Sequence, residues 1–204
     1  MNVLVVGGCL CAWVAIAFAA TQHAEAKLPG CTAALSRPAV VVAVLLALLA
    51  LLSRPPAGAA VCGVACVALV AAAASDARTG YLFDAITFPT ALLVASLALW
   101  TGAAHSAAAG VALMVGCFGG IVVVSRGRWM GLGDVKALYA VGAAFGPLES
   151  LLAIFAASLC AIVTSAVAGR LRRGHEIRFG PHLAAGAALV LVAGEPIVHG
   201  WMHL

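Results

Sequence analysis

The sequence predicts an all-α protein, a polytopic transmembrane helix bundle of about eight helices. Three observations predict this fold class: 65% of the 204 residues are hydrophobic, only 9% are charged, and the mean hydropathy is +1.15. In a soluble domain, roughly a quarter of the residues are charged, so the composition excludes that class. Transmembrane strands of about ten residues alternate apolar and polar side chains, whereas this chain has long unbroken apolar runs. We therefore expect helices surrounded by a lipid bilayer.

Apolar stretches separated by charged residues, proline or glycine predict eight crossings. They cover residues 3–20, 37–52, 59–75, 85–101, 107–124, 134–147, 150–169 and 180–199. The first stretch is expected to be a retained helix with its N-terminus outside, because Met1 and Asn2 lack the positive charge of a cleaved signal peptide. The second must end at Pro55 and Pro56. The predicted organisation is an N-terminal two-helix extension, 1–58, followed by a six-helix core, 59–204.

The basic residues predict an orientation. When the loop after Asp76 is placed in the cytoplasm, all of the 11 basic residues except Arg54 fall on that side, as the positive-inside rule expects. Two crossings separate Asp76 from Asp134, so both carboxylates return to the cytoplasmic face. The basic residues are scattered and lack interleaved aromatics, which argues against a nucleic-acid partner.

Asp76 and Asp134 are the candidate chemical groups. Each lies next to an apolar run, where a carboxylate at hydrocarbon depth costs up to about 2.5–3.5 kcal/mol and tends to be functional. Alternatively, each acid merely ends a helix, with Asp134 as a helix N-cap. Gly131 and Gly133 precede Asp134 and permit unusual backbone angles and close packing. Two carboxylates brought close together share a proton, which suits water-activated peptide hydrolysis.

Three ordered motifs resemble those of one family. Residues 131–136, GLGDVK, resemble the GxGDxK signature of prepilin peptidases, also called type IV leader peptidases, which are membrane aspartic peptidases. Residues 75–79, SDART, resemble the first-aspartate motif of that family. Residues 178–183, RFGPHL, resemble its C-terminal Phe-Gly-Pro element. The resemblance covers about residues 59–190.

The resemblance implies that Asp76 and Asp134 are the catalytic pair of an aspartic endopeptidase in the cell inner membrane, with its site on the cytoplasmic face. The implied substrates are type IV prepilins or pseudopilins, which lose a short basic leader. Larger members also carry a loop with two CxxC pairs and a methyltransferase activity, and residues 1–59 have no such loop. Neither zinc nor S-adenosylmethionine nor another cofactor is therefore implied.

Five further residues are candidates for shaping the site or binding substrate. They are Gly131, Gly133, Lys136, Asp84 and Arg78. Four of them have a structural alternative: the two glycines serve helix packing, Lys136 snorkels to the interface, and Asp84 caps the next helix. The stretch before Asp84 also departs from the family pattern, because Phe83 stands where a proline is usual.

Two other functions stay open. A small proton-linked transporter would use Asp76 and Asp134 as intramembrane proton carriers, but it would favour acids near the bilayer middle and duplicated halves. A non-catalytic relative in a pilus or secretion assembly would keep the fold and lose the activity. Of the remaining groups, the seven cysteines are expected to be packing residues, and Glu149 and Glu195 to be solvated.

Overall fold

The computed structural model describes residues 2–27, 37–169 and 178–202. This part of the chain forms seven α-helices and contains no β-strand. The helices are α1 (Val3–Glu25), α2 (Arg37–Ser53), α3 (Pro56–Thr79), α4 (Asp84–Trp100), α5 (Ala104–Ser125), α6 (Leu132–Val167) and α7 (Phe179–Met202). Five of them, α1, α3, α5, α6 and α7, are long and apolar enough to cross a membrane. The prediction of an all-helical bundle is confirmed.

The described residues form seven helices, so the prediction of eight is wrong. The predicted crossings 134–147 and 150–169 belong to one element, α6, which is interrupted at Gly146 (φ 71°, ψ −175°). Glycine adopts a positive φ at little cost, and Pro147 follows directly, where the start of a helical segment tolerates its missing N–H. Gly146 thus takes the place of the loop that the hydropathy pattern predicts between these two crossings.

The chain reverses direction at Gly146. Ser150 Oγ donates a hydrogen bond of 3.1 Å to the carbonyl of Val141, nine residues earlier, although nine residues of straight α-helix span about 13.5 Å. Beyond the reversal, the second half of α6 runs back along α7, where Thr164 Oγ1 lies 3.5 Å from His182 Nε2. The two halves of α6 are therefore the arms of a helical hairpin.

Small residues set the spacing between helices. α3 is the central helix, and nearly all side chains between Ala59 and Ala73 are buried. α1 docks on it through Trp13, whose Nε1–H donates to the carbonyl of Val64 at 3.1 Å. A Cβ on Gly142 of α6 would lie 2.6 Å from the carbonyl oxygen of Gly110 in α5. Only glycines allow such backbone contact, which is the close packing expected between membrane helices.

Successive helical segments alternate in direction, and three aspartates gather at one end of the bundle, called here the aspartate end. α3 ends there with Asp76, and α4 and α6 begin there with Asp84 and Asp134. The described basic residues at this end are Lys27, Arg37, Arg78, Arg126, Arg128, Lys136 and Arg178. Arg54 lies at the opposite end, as the sequence predicts, and residues 170, 172 and 173 lie outside the described residues.

An ion-pair cluster joins three elements at the opposite end of the bundle. Arg54, between α2 and α3, pairs with Glu149 of α6 (Nη2 to Oε2, 3.0 Å) and Glu195 of α7 (Nη1 to Oε1, 2.9 Å). The side chains of Arg54 and Glu149 are 8% and 13% exposed, whereas that of Glu195 is 50% exposed. The expectation of a solvated Glu149 is therefore wrong, because Arg54, 95 residues away in the sequence, covers it.

Candidate active site

Asp76 is a buried carboxylate in the last turn of α3. That helix ends at Thr79, with Gly80 as a left-handed C-cap, and only 6% of Asp76 is exposed. Its Oδ2 accepts a hydrogen bond of 3.0 Å from the backbone N–H of Gly180 in α7. A Cβ on residue 180 would lie 2.7 Å from the same oxygen. The start of α7 can therefore approach this carboxylate only because residue 180 is glycine.

Asp134 lies in the first turn of α6 and is partly exposed. The N-cap of α6 is Gly131, not Asp134. The backbone N–H of Gly131 lies close enough to the Asp134 carboxylate to favour its charge, in the relation that an N-cap residue has to the third helical residue. The N-cap alternative thus does not apply to Asp134, although a carboxylate in the first turn complements the helix dipole.

α3 and α6 bring Asp76 and Asp134 into electrostatic range of each other, although 58 positions separate them in the sequence. Two negative charges at such range repel each other, which disfavours the ionisation of both carboxyl groups at the same time. Asp76 also experiences the opposite charge of Arg178 and that of His182 in its protonated form. The two acids therefore share a site but not the same surroundings.

Gly133 lets the loop after α3 lie against α6. A Cβ on Gly133 would lie 3.1 Å from Cβ of Leu82, which is tighter than ordinary van der Waals contact. Gly131 is exposed, and a Cβ there would lie 3.8 Å from Asp134 Oδ2 without a clash. A side chain at position 133 would therefore crowd Leu82, whereas position 131 has space for one.

Asp84 and Lys136 form an ion pair between α4 and α6. The N-cap of α4 is Phe83, whereas Asp84 is the first helical residue, so the predicted capping role is not what its side chain performs. The side chains of Lys136 and Asp84 are 44% and 70% exposed. This exposed pair tethers the helix that follows Asp76 to the helix that carries Asp134.

Arg78 pairs with a residue of α1. Its Nη2 lies 2.7 Å from Oε1 of Glu25, the last residue of α1, whose side chain is fully buried. The structure therefore brings four of the seven predicted site residues, Asp76, Asp134, Gly131 and Gly133, together. It places Lys136 with Asp84 beside them, and Arg78 against α1.

Residues 178–183 form a motif in the sequence, but the sequence predicts no site residue among them. The structure adds Gly180, which donates to Asp76, and Arg178, which donates to the carbonyl of Ala77. The signal was present in the sequence as a glycine in the first turn of an apolar segment. Glu25 was missed as well, although it is a lone acid at the end of an apolar helix.

A shallow apolar groove lies between α3, α4 and α6, near the aspartate end of the bundle. Its walls include Ala72 and Ala137, each one helical turn from an aspartate, together with Ala68, Ala140 and Thr90. The larger side chains of Leu69, Ile86 and Lys136 complete the lining, and the groove is narrow, with free space for about one water molecule. Within the described ranges, no three His, Cys, Asp or Glu side chains gather in a way that could hold a metal ion.

Comparison with known proteins gives a family match over the middle of the chain. The model of the type IV leader peptidase family matches residues 63–166, a range that includes Asp76 and Asp134. Two curated proteins named prepilin leader peptidase/N-methyltransferase, from Burkholderia pseudomallei strains 1026b and K96243, are each 35% identical to the chain over 152 residues. The match covers 69% of this chain and 49% of each relative, so the chain spans about half their length. No solved structure matches the chain.

Proposed function

Because the chain belongs to the type IV leader peptidase family, we propose that it is an aspartic endopeptidase that removes the short basic leader from type IV prepilins or related pseudopilins. The observation that carries the proposal is that α3 and α6 bring Asp76 and Asp134 to the same end of the bundle, within range of mutual repulsion. Both residues lie at the ends of apolar helices, where water and membrane-embedded peptide meet. Two carboxyl groups that share one proton provide both a general base and a general acid.

Asp76 is assigned the role of base and Asp134 that of acid. The Asp76 carboxylate receives the N–H of Gly180 and the attraction of Arg178. The repulsion between the two acids acts on both alike, and the Asp134 carboxylate has the backbone N–H of Gly131 as its favourable neighbour. Gly180 and Arg178 thus favour the negative charge on Asp76, whereas its burial and its place in the last turn of α3 oppose that charge. In the proposed reaction, Asp134 is taken as the residue that carries the shared proton.

The reaction is a direct attack of water on the peptide bond. Asp76 takes a proton from the water as its oxygen bonds to the scissile carbonyl carbon, while Asp134 protonates the carbonyl oxygen. The resulting tetrahedral intermediate breaks its C–N bond, and the proton held by Asp76 passes to the leaving amine. Asp134 regains its proton as the new carboxyl group forms. No acyl-enzyme is involved.

The substrate junction lies at the aspartate end of the bundle. The basic residues of the leader stay in water near Asp84, where they compete with Lys136 for its carboxylate. The extended peptide binds along the groove that Ala72 and Ala137 line, which must widen to admit it, and the following apolar segment continues along the helices in the bilayer. The excess of basic residues at the aspartate end supports a cytoplasmic site in the inner membrane by the positive-inside rule.

The test is cleavage by the purified protein in detergent. The substrate is a peptide with a short basic leader followed by an apolar segment of about 20 residues, and mass spectrometry follows the loss of the leader. We expect one new N-terminus at the leader junction. A matched substrate whose leader basic residues are replaced by glutamine should be cleaved more slowly. An intact substrate after prolonged incubation with folded protein would contradict the proposed function.

A further inference from the structure

We propose that Glu25, in the first helix of the chain, is a positioning residue for Asp76 and acts through Arg78. This inference rests on the proposed function, since it adds a residue to the support of the same site. Glu25 lies at the end of α1, outside the residues matched by the family model. With this role for Glu25, α1 contributes to the geometry of the active site.

The position of Glu25 is unfavourable for helix stability. Its side chain is fully buried, and a buried carboxylate must be paired to offset its lost hydration. It is also the last residue of α1, where the helix dipole disfavours negative charge. One oxygen, Oε1, pairs with Arg78, while Oε2 has no hydrogen-bond partner in the described part of the chain. Stability of α1 therefore does not explain an acid at this position.

Arg78 connects Glu25 to the turn that carries Asp76. The two residues Asp76 and Arg78 are two positions apart on α3, so their side chains leave the helix about 200° apart. Asp76 meets α7 through Gly180, whereas Arg78 meets α1 through Glu25. The same turn is thus held from two opposite sides.

The last turn of a helix needs such support because its final carbonyls have no partner within the helix. In α3, the Asp76 carbonyl receives the N–H of Gly80 at 2.9 Å, and the Ala77 carbonyl receives Arg178. The Glu25–Arg78 pair adds a contact on the side of this turn that faces α1, and in our proposal this contact restrains rotation of the turn toward α7. When it is removed, the turn loosens and the Asp76 carboxylate moves away from its working position.

A double-mutant cycle tests the inference. We expect Glu25→Ala to lower kcat for leader removal about tenfold, with KM within about twofold, because misplacement of a reacting group affects the chemical step rather than substrate binding. Arg78→Ala should lower kcat to a similar extent. The double variant should be no worse than the poorer single variant, because the two side chains act as one unit. Additive losses, or a loss in KM alone, would overturn the inference.

Amide hydrogen exchange in residues 74–80 gives a second readout that needs no substrate. Exchange should quicken in Glu25→Ala and stay unchanged in the control Glu195→Ala, which removes a half-exposed acid at the opposite end of the bundle. Where Glu25→Ala does not insert, Glu25→Gln replaces it and keeps an oxygen that accepts from Arg78, with about a threefold loss of kcat expected.

The two readouts separate this inference from the proposed function. A wild-type chain that cleaves no prepilin would contradict the proposed function, while faster exchange in Glu25→Ala would still support the structural link. An active wild type whose kcat and exchange are unaffected by Glu25→Ala would overturn the role of Glu25 alone.

Discussion

The backbone N–H of Gly180 donates a hydrogen bond to Oδ2 of Asp76 across 104 positions of the sequence. The first turn of α7 therefore holds the carboxylate that the last turn of α3 carries. Arg178, two residues earlier, adds a second link by donating to the carbonyl of Ala77. The geometry of the proposed base thus depends on a segment outside the range that the family model matches, 63–166.

Gly180→Ala should lower kcat for leader removal about 10- to 100-fold, because a methyl group would lie 2.7 Å from Asp76 Oδ2 and 3.0 Å from its Cβ and would displace the carboxylate. Gly200→Ala is the matched control on the same helix, since nothing lies within 4 Å of a Cβ at that position. Steady-state cleavage rates of the two purified variants give the comparison. If Gly180→Ala and Gly200→Ala both cleave at the wild-type rate, the role assigned to Gly180 is contradicted.

Arg54→Gln should destabilise the protein without lowering the activity of the folded fraction. The Arg54 and Glu149 side chains are 8% and 13% exposed, and loss of one partner from a buried pair costs about 3–5 kcal/mol. Glu195→Gln is the control, because that partner is half exposed and its loss should cost about 1 kcal/mol or less. Thermal unfolding in detergent measures both. A larger loss of stability in Glu195→Gln would refute the burial argument.

The Lys136–Asp84 pair should contribute little to stability and more to substrate binding. An exposed ion pair is worth about 1 kcal/mol or less, so Lys136→Gln should shift the unfolding midpoint only slightly. Asp84→Asn should raise KM about two- to tenfold for substrates with a basic leader and leave kcat nearly unchanged, because a rim charge acts on association. The same measurement on a leader without basic residues should show no difference. A fall in kcat with constant KM would show that Asp84 acts in the chemical step instead.

The helices follow closely from hydropathy, because a long apolar run has only one way to satisfy its backbone in a bilayer. The predicted 37–52 and 85–101 correspond to α2 at Arg37–Ser53 and α4 at Asp84–Trp100. The count failed at Gly146, where one glycine with positive φ reverses the chain without an intervening loop. Hydropathy records where apolar residues lie, not which backbone angle a single glycine adopts.

The candidate site followed from the sequence only as far as local motifs reach. The motifs singled out Asp76 and Asp134, which the bundle brings to one end. The partner of Arg78 could not be found this way, because Glu25 lies 53 positions earlier on another helix. Glu149 was expected in water for the same reason: its neighbour Arg54 is 95 positions away. Pairings of this kind depend on helix packing, which composition and spacing do not specify.

The most direct test is leader removal by Asp76→Asn and Asp134→Asn, each purified in detergent, with the product mass as the readout. Each substitution keeps the size of the side chain but removes its ability to take or give a proton, so we expect a loss of at least about 100-fold. Glu195→Gln, at the opposite end of the bundle, should cleave at the wild-type rate. Leader removal at the wild-type rate by either asparagine variant would contradict the assignment of these two aspartates as the catalytic pair.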